Sequence, residues 1–158
     1  MNIHLDNFRS NTPVYKNSEC IIHDIGDGVL CFEFTSKANA IGDGIGQGAI
    51  EALNIAQNGD WAGIVIGNNA KNFTVGANIM NVAMVAMQKD FVKLEEMVNG
   101  FQQINMAMRY APVPVVTATQ GYVFGGGCEI LMHTDAAICH AESYIGLVEV
   151  GVGLIPGG

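Results

Sequence analysis

Three consecutive glycines, at positions 125–127, separate two apolar segments and lead directly into Cys128 and Glu129. The first apolar segment, 112–119, has the composition of a buried strand. Glycines in a turn allow backbone N–H groups to approach a ligand closely, and the first N–H groups of a helix have no intrahelical partner. The pattern therefore predicts a strand, a turn and a helix starting near Gly126. Its N–H groups would suit a carbonyl oxygen that becomes negatively charged, with Glu129 nearby as an acid or base.

The rest of the chain alternates between segments typical of strands and segments typical of helices. We predict strands at 19–24, 28–35, 61–66, 113–119 and 135–139, the first two joined as a hairpin by Gly26-Asp27-Gly28. Helices are predicted at 49–56, 80–87 and 90–110, the last with one apolar stripe formed by Phe91, Leu94, Met97, Phe101, Ile104 and Met108. This order indicates an α/β fold with a mainly parallel sheet. Residues 1–17 are predicted to be a loose N-terminal arm, and 18–158 one domain.

Composition excludes several classes of protein. The chain has 158 residues, 49% of them hydrophobic and 14% charged, which argues against disorder. A net charge of −8 without a Lys/Arg cluster argues against a nucleic-acid partner. The N-terminus does not resemble a secretory signal, and no stretch reaches the roughly 20 apolar residues that span a bilayer. We expect a soluble cytoplasmic protein with no membrane partner.

The cysteines and histidines do not suggest a metal centre. The four cysteines contain no Cys-x-x-Cys pair and stand in apolar runs, which favours buried free thiols in a reducing compartment. The four histidines lack metal-ligand spacing. We therefore expect no metal.

A second glycine-bearing turn, Phe73-Thr74-Val75-Gly76-Ala77-Asn78-Ile79, also lies between a predicted strand and a predicted helix. It offers another N–H at a helix start, at Ala77. Two such turns in one sheet can direct their N–H groups at a single oxygen, which is the minimum for an oxyanion hole. Either turn alone would be better explained as a simple connection, whereas the two together favour a functional site.

A second carboxylate, Glu149, stands among aliphatic and glycine residues. An isolated buried charge is costly, so such a residue needs a partner or a role. Two carboxylates in apolar settings beside an oxyanion hole would suit acid–base chemistry on water. The alternatives are a surface glutamate at a sheet edge for Glu149 and a helix N-terminal charge for Glu129.

Two further motifs have simpler explanations. Gly44-Ile45-Gly46-Gln47-Gly48-Ala49 matches the loose form of a dinucleotide fingerprint. That fingerprint must follow a strand directly, and here about ten residues intervene, so the segment more plausibly starts a helix. Met80, Met84 and Met87 recur at helical spacing, typical of core filling, although an acyl pocket lining is an alternative.

Together these motifs resemble the crotonase family, the enoyl-CoA hydratase/isomerase superfamily. The resemblance extends from about Glu19 to Gly158 and is carried most strongly by residues 121–129 and 149–158. Residues 72–79 support it, and Lys37-Ala38-Asn39-Ala40 supports it more weakly. It implies a crotonase-like ββα-repeat spiral that binds acyl-CoA thioesters, with no cofactor apart from the coenzyme A of the substrate.

The resemblance also implies roles for individual residues. Ala77 and Gly126 match the two oxyanion-hole positions, and Glu129 and Glu149 match the paired glutamates of the hydratases. Because both glutamates are present, hydration of 2-enoyl-CoA is favoured over the other reactions of the family. The substrate-binding positions implied are Lys37, Ala38, Ala40, Val75, Gly76, Ala77, Asn78, Ile79, Met80 and Gly126.

The chain also departs from the family pattern. Asn78, Met80 and Ser36 replace an aspartate, a charged residue and a proline common at those positions. Family members continue past the position of Gly158 with helices that complete the acyl pocket and contact other subunits, so the resemblance implies a fold truncated at its C-terminus. A homo-oligomer (trimer or hexamer) or a segment of a larger chain, such as a fused 3-hydroxyacyl-CoA dehydrogenase, is expected. Isomerisation, another crotonase reaction, and a non-catalytic acyl-CoA-binding or assembly fragment are the alternative functions.

Overall fold

The computed structural model describes residues 4–158. Its helices and strands alternate along the chain, with a strand hairpin first. The strands are β1 (Tyr15–Lys16), β2 (Cys20–Asp24), β3 (Val29–Phe34), β4 (Gly63–Gly67), β5 (Val115–Thr119), β6 (Tyr122–Phe124), β7 (Ala136–Cys139) and β8 (Tyr144–Gly146). The α-helices are α1 (Asp43–Asn58), α2 (Ile79–Met87), α3 (Phe91–Arg109) and α4 (Gly126–His133). Short 3-10 helices cover Leu5–Phe8, Lys37–Asn39 and Glu149–Val152.

Six of these strands form one sheet in the order β1-β2-β3-β4-β5-β7. The predicted hairpin is present, since β2 and β3 are antiparallel with Ile22 opposite Phe32. From β3 onwards the strands pair in parallel, as the alternation of helices and strands predicts. The remaining strands, β6 and β8, pair in parallel as a separate two-stranded sheet that the sequence did not predict. The α/β fold class is confirmed.

The core lies where α1 packs on the hairpin. Cys20 and Ile22 of β2 and the two phenylalanines of β3 present one fully buried face. Against it lies the face of α1 formed by Ile45, Ala49, Ala52 and Ala56. Gly48 permits the close approach, because a Cβ there would collide with the Cys20 sulfur and stand 2.9 Å from the Phe32 ring. Small residues on α1 therefore let aromatic side chains fill the layer between helix and sheet.

The N-terminal segment was predicted as a loose arm, but Arg9 and residues 14–17 contact the sheet; positions 1–3 lie outside the described residues. Tyr15–Lys16 pairs with β2, and the Arg9 guanidinium lies 2.7 Å from Glu33 Oε1. Glu33 is 1% exposed, and His23 Nε2 lies 2.8 Å from its other oxygen. A carboxylate buried in a strand needs such partners, because an unpaired buried charge is costly. Glu33 therefore fixes the arm to the sheet.

The predicted apolar stripe of α3 is buried only in its second half. Met108 is 2% exposed, and Phe101 and Ile104 pack on the core, but Phe91 is 69% exposed. The prediction is therefore wrong at the start of the helix, where Phe91 is exposed. None of the helices in the part of the chain described is both long and apolar enough to cross a membrane.

Candidate active site

The turn before α2 is held in shape by Thr74, a fully buried threonine. Its Oγ1 donates a hydrogen bond to the carbonyl oxygen of Asn39 at 2.6 Å and accepts one from the N–H of Gly76 at 3.0 Å. Gly76 has φ +96°, a conformation that favours glycine. The carbonyl oxygen of Gly76 accepts a hydrogen bond from the N–H of Ile41. Because the C=O and N–H of one peptide group point in opposite directions, the Ala77 N–H faces away from Ile41.

The turn before α4 runs alongside the first. Thr74 N donates to Tyr122 O at 3.0 Å, and Phe124 N donates to Thr74 O at 3.3 Å. Gly125 has φ +52°, and a Cβ on Gly76 would stand 3.0 Å from Phe124 O and 3.7 Å from Gly125 Cα. Gly127 leaves room for the Thr74 methyl group, which a Cβ at 127 would strike. The two glycine turns predicted separately from the sequence are therefore in direct contact.

Each turn leaves free N–H groups at a helix start, and those of Ala77 and Gly126 are at the predicted oxyanion-hole positions. Within residues 4–158, neither Ala77 N nor Gly126 N donates a hydrogen bond to the protein. Ala77 is exposed, whereas Gly126 is buried against Phe101 and Ile41, whose atoms would lie 3.2 and 3.3 Å from a Cβ at that position. Gly126 is the first residue of α4, so the helix dipole adds to its N–H. These two donors can hold a developing negative charge.

Glu129 lies in the first turn of α4 and is 3% exposed. Its own N–H donates to Gly125 O at 3.0 Å, which starts the helix. Its Oε1 accepts a hydrogen bond from the N–H of Gly158 at 2.7 Å. Its Oε2 has no hydrogen-bonding partner among residues 4–158, so one carboxylate oxygen is anchored and the other remains available to a ligand.

Glu149 reaches the site through the two-stranded sheet. β8 pairs with β6, and Gly125 N donates to Gly146 O at 3.0 Å, so the segment after β8 begins beside the second glycine turn. Glu149 then opens a 3-10 helix, and its Oε1 lies 2.9 Å from where a Cβ of Gly125 would be. Its Oε2 is buried without a partner among the described residues. The carboxylate thus projects at the turn that carries Gly126.

The thiol of Cys128 on α4 is a buried titratable group. Burial raises the pKa of this thiol, and the negative charge of Glu149, followed by that of Glu129, raises it further. Cys20, Cys31 and Cys128 are buried and free, as predicted, while Cys139 is exposed. No metal-binding group of three or more His, Cys, Asp or Glu side chains occurs among residues 4–158.

The substrate-binding positions predicted by resemblance lie on adjoining segments. Residues 37–41 run beside residues 74–78, with Ile41 bridged to Ala77 and Asn39 Nδ2 donating to Asn72 O at 3.1 Å. Lys37, Ala38, Val75, Ile79 and Met80 are exposed along this edge, and Ala40 and Asn78 are half-buried. Ile79 and Met80 begin α2, so its exposed methionines border the site. Gly126, at the start of α4, borders the site on the side of the second turn.

Two residues that sequence reasoning did not assign contribute to this geometry. Thr74 joins the two turns and the 37–41 segment. The sequence indicated it only as a member of the 72–79 motif. Asn105 of α3 is 1% exposed and lies beside Gly158, the residue that binds Glu129. Its spacing from Phe101 and Met108 indicates that Asn105 lies on the buried face of α3, because residues three and four apart share one helix face.

The geometry agrees with what comparison with known proteins finds. The family model described as "Enoyl-CoA hydratase/isomerase" matches residues 24–158. The chain belongs to this enoyl-CoA hydratase/isomerase family, the crotonase family.

Two relatives of the chain are much longer proteins. A Bacillus subtilis protein named "Probable 3-hydroxyacyl-CoA dehydrogenase" is 40% identical over 157 residues, which is 99% of this chain and 20% of the relative. A Rickettsia felis protein named "Putative fatty acid oxidation complex trifunctional enzyme" is 28% identical over 99% of this chain and 21% of its own length. The chain therefore spans about a fifth of these curated relatives.

A solved structure shows the same fold. The enoyl-CoA hydratase of Thermoplasma volcanium superposes with a TM-score of 0.80 at 24% identity, over 89% of this chain and 56% of that one. The crotonase-like spiral is thus shared, and the matched region is about half of that enzyme.

Proposed function

We propose that this chain is the hydratase segment of a crotonase-type enzyme, adding water across the double bond of a 2-enoyl-CoA thioester. The observation that supports this most directly is the meeting of the two glycine turns. It puts two free N–H groups, of Ala77 and Gly126, at adjacent helix starts. Glu129 lies in the first helical turn after the second of these glycine turns, and the Glu149 carboxylate lies against Gly125.

The proposed chemistry follows from these groups. The thioester oxygen accepts hydrogen bonds from Ala77 N–H and Gly126 N–H, which stabilise the enolate-like charge that develops as the β-carbon is attacked. Water lies between the two carboxylates. One glutamate takes a proton from the water as the water oxygen bonds to the β-carbon. The other glutamate, as the acid, gives a proton to the α-carbon. The product is a 3-hydroxyacyl thioester, and no redox change occurs.

The test is hydration of crotonyl-CoA by the full-length protein, measured as the loss of enoyl-thioester absorbance. We expect Glu129→Gln and Glu149→Gln each to lower kcat by roughly 100-fold or more, because each removes a proton-transfer group. Glu96→Gln, an exposed change on α3, is the matched control and should leave the rate unchanged. Near wild-type rates in both active-site variants would refute the assignment.

Isomerisation is the competing reaction within the family. It would use the same oxyanion hole to bind a different acyl group. Supplying 2-enoyl and 3-enoyl thioesters separately and identifying the products distinguishes the two. A 3-hydroxyacyl product from the 2-enoyl substrate supports hydration, whereas interconversion of the two enoyl thioesters without added water supports isomerisation. Binding of a thioester with neither reaction would favour the non-catalytic alternative.

A further inference from the structure

The hydroxyl of Thr74 joins the first glycine turn to the 37–41 segment. Its Oγ1 has two partners, since it donates to Asn39 O at 2.6 Å and accepts from Gly76 N–H at 3.0 Å. Thr74 is 0% exposed, so water does not replace either partner. Loss of the hydroxyl would leave a buried N–H and a buried C=O each without this bond, which is costly. The hydroxyl is therefore held in one orientation between two stretches of backbone.

These two stretches of backbone also make the contact that orients the Ala77 N–H. In the peptide group that carries this N–H, the carbonyl of Gly76 accepts a hydrogen bond from Ile41 N at 2.8 Å. Thr74 binds the peptide group that comes immediately before this contact on each segment, through Gly76 N–H on one and Asn39 O on the other. One side chain therefore fixes both partners of the hydrogen bond that sets the direction of the Ala77 N–H.

The backbone that the Thr74 hydroxyl holds is strained. Ala38 and Asn39 both have φ +54°, a value that residues with a Cβ rarely adopt, and Gly76 has φ +96°. Such conformations persist only where the surroundings fix them, and they cluster at functional sites. The bond from Thr74 to Asn39 O is one of the contacts that fix this turn. Its removal would let the 37–41 segment and the Gly76 peptide shift together.

The methyl group of Thr74 has a separate contact. It packs against Gly127, the second residue of α4, where a Cβ would collide with it. The hydroxyl thus holds the turn that carries Ala77, whereas the methyl group sets the spacing to the helix that begins at Gly126. Valine at 74 would keep the methyl contact and lose both hydrogen bonds, and serine would do the reverse. The two functions of this side chain can therefore be separated by substitution.

We propose that the Thr74 hydroxyl positions the oxyanion hole by keeping the Ala77 N–H directed at the thioester oxygen. The inference rests on the proposed hydratase function. Thr74 is fully buried and acts through the Gly76 peptide, so it is a positioning residue and does not touch the reacting atoms. A hydrogen bond weakens steeply as its angle departs from linear, so a small rotation of this peptide weakens one of the two oxyanion donors.

The kinetic test compares Thr74→Val with Thr74→Ser in the full-length protein. We expect Thr74→Val to lower kcat for crotonyl-CoA hydration roughly 10-fold to 100-fold, as loss of an oxyanion donor does. Its KM should change by less than about threefold. Thr74→Ser keeps both hydrogen bonds, so its kcat should stay within about threefold of wild type, although its melting temperature falls because a buried methyl group is lost. An unchanged kcat in Thr74→Val, or an equal loss in Thr74→Ser, would overturn the proposal.

The matched control is Thr117→Val, the same change at another fully buried threonine. Thr117 lies on β5, and its hydroxyl is 3.3 Å from that of Thr134, beyond the end of α4. This variant should keep the wild-type kcat. If Thr74→Val does not fold, the comparison is made in an Ala38→Gly background, because glycine adopts a positive φ without strain. Equal kcat in Ala38→Gly and Ala38→Gly/Thr74→Val would overturn the proposal.

A second measurement reports the hydrogen bonds to the carbonyl and not the rate. Cinnamoyl-CoA is a conjugated thioester whose excited state carries extra negative charge on the carbonyl oxygen, so donors at that oxygen shift its absorbance to longer wavelength. At saturation we expect this red shift in wild type and in Thr74→Ser, and about half of it or less in Thr74→Val. An equal shift in Thr74→Val, or no shift in wild type, would overturn the inference. If wild type shows the shift but hydrates no enoyl thioester, the proposed function fails, and a smaller shift in Thr74→Val would still support the positioning of the Ala77 N–H.

Discussion

Gly125 carries two separate constraints. Its backbone adopts φ +52° and ψ −122°, a region that residues with a Cβ rarely enter. Its missing side chain also leaves the space that Glu149 Oε1 occupies, 2.9 Å from where a Cβ would be. The first constraint sets the direction of the peptide leading to Gly126 N–H, and the second brings the acid to that peptide. One residue therefore couples the Gly126 N–H to the second carboxylate.

Gly125→Ala should consequently damage both stability and catalysis. We expect the free energy of unfolding to fall by about 1–3 kcal/mol because of backbone strain. The hydration rate should fall by more than about tenfold, since the new methyl group displaces Glu149. Urea denaturation and the crotonyl-CoA assay measure the two effects.

The matched control for this change is Gly100→Ala on α3. A Cβ at Gly100 would have nothing within 4 Å, and the backbone there is helical. This variant should be neutral or more stable by about 0.5–1 kcal/mol, with an unchanged rate. If Gly125→Ala behaved like Gly100→Ala, the coupling described for Gly125 would be wrong.

At the level of elements, the start of α1 explains the glycine-rich segment that resembles a nucleotide-binding fingerprint. Glu19, just before β2, accepts a hydrogen bond from Ile45 N at 3.1 Å. Its carboxylate would lie 2.8 Å from a Cβ on Gly42, and its Cβ and Cγ 3.0 Å from a Cβ on Gly44. The negative charge at this helix N-terminus is therefore supplied by the protein's own glutamate. The expectation that the segment starts a helix is confirmed.

Glu19→Ala should therefore destabilise the fold without changing the chemistry. Loss of a carboxylate cap at a helix N-terminus costs about 0.5–2 kcal/mol, measurable as a lower urea midpoint with an unchanged slope. Glu96→Ala, at an exposed position inside α3, should stay within about 0.5 kcal/mol of wild type. Equal stabilities of the two variants would contradict a capping role.

Elements with a strong local pattern were predictable from the sequence, and those fixed by distant contacts were not. The β2–β3 hairpin, α1, β4, α3 and α4 each follow from apolar periodicity or from glycine positions. By contrast, β6 and β8 are three-residue strands whose pairing depends on residues 22 positions apart, such as Tyr122 and Tyr144. The approach of Glu149 to Gly125 depends on that pairing. Local sequence patterns could therefore identify Glu149 as a candidate but could not predict its position.

At the scale of the whole molecule, apolar side chains remain uncovered around the last strands and the C-terminal segment. Every residue of β7 is exposed, including Ile138 at 66%. Val150 is 79% exposed and Ile155 82%. Exposed apolar side chains of this kind favour contact with further protein, either more of the same chain or another copy.

We expect the 158-residue chain, expressed by itself, to self-associate as its concentration rises. The double variant Val150→Lys/Ile155→Lys should shift sedimentation-velocity profiles toward the monomer, because charge opposes burial of this surface. Ile50→Lys, at a half-exposed isoleucine of α1, should leave association unchanged. Association that is insensitive to the double variant would place the contact on another face.

The attachment of Glu149 through β8 has an evolutionary consequence. The two glycine turns are formed by residues 74–77 and 121–126, whereas Glu149 lies on a separate segment held mainly by β6–β8 pairing and by the hydrogen bond from Gly125 N to Gly146 O. Substitutions in residues 147–152 can therefore change this carboxylate while the two turns keep their shape. On the proposed function, this division lets new reactions on acyl thioesters arise by changes in one short segment.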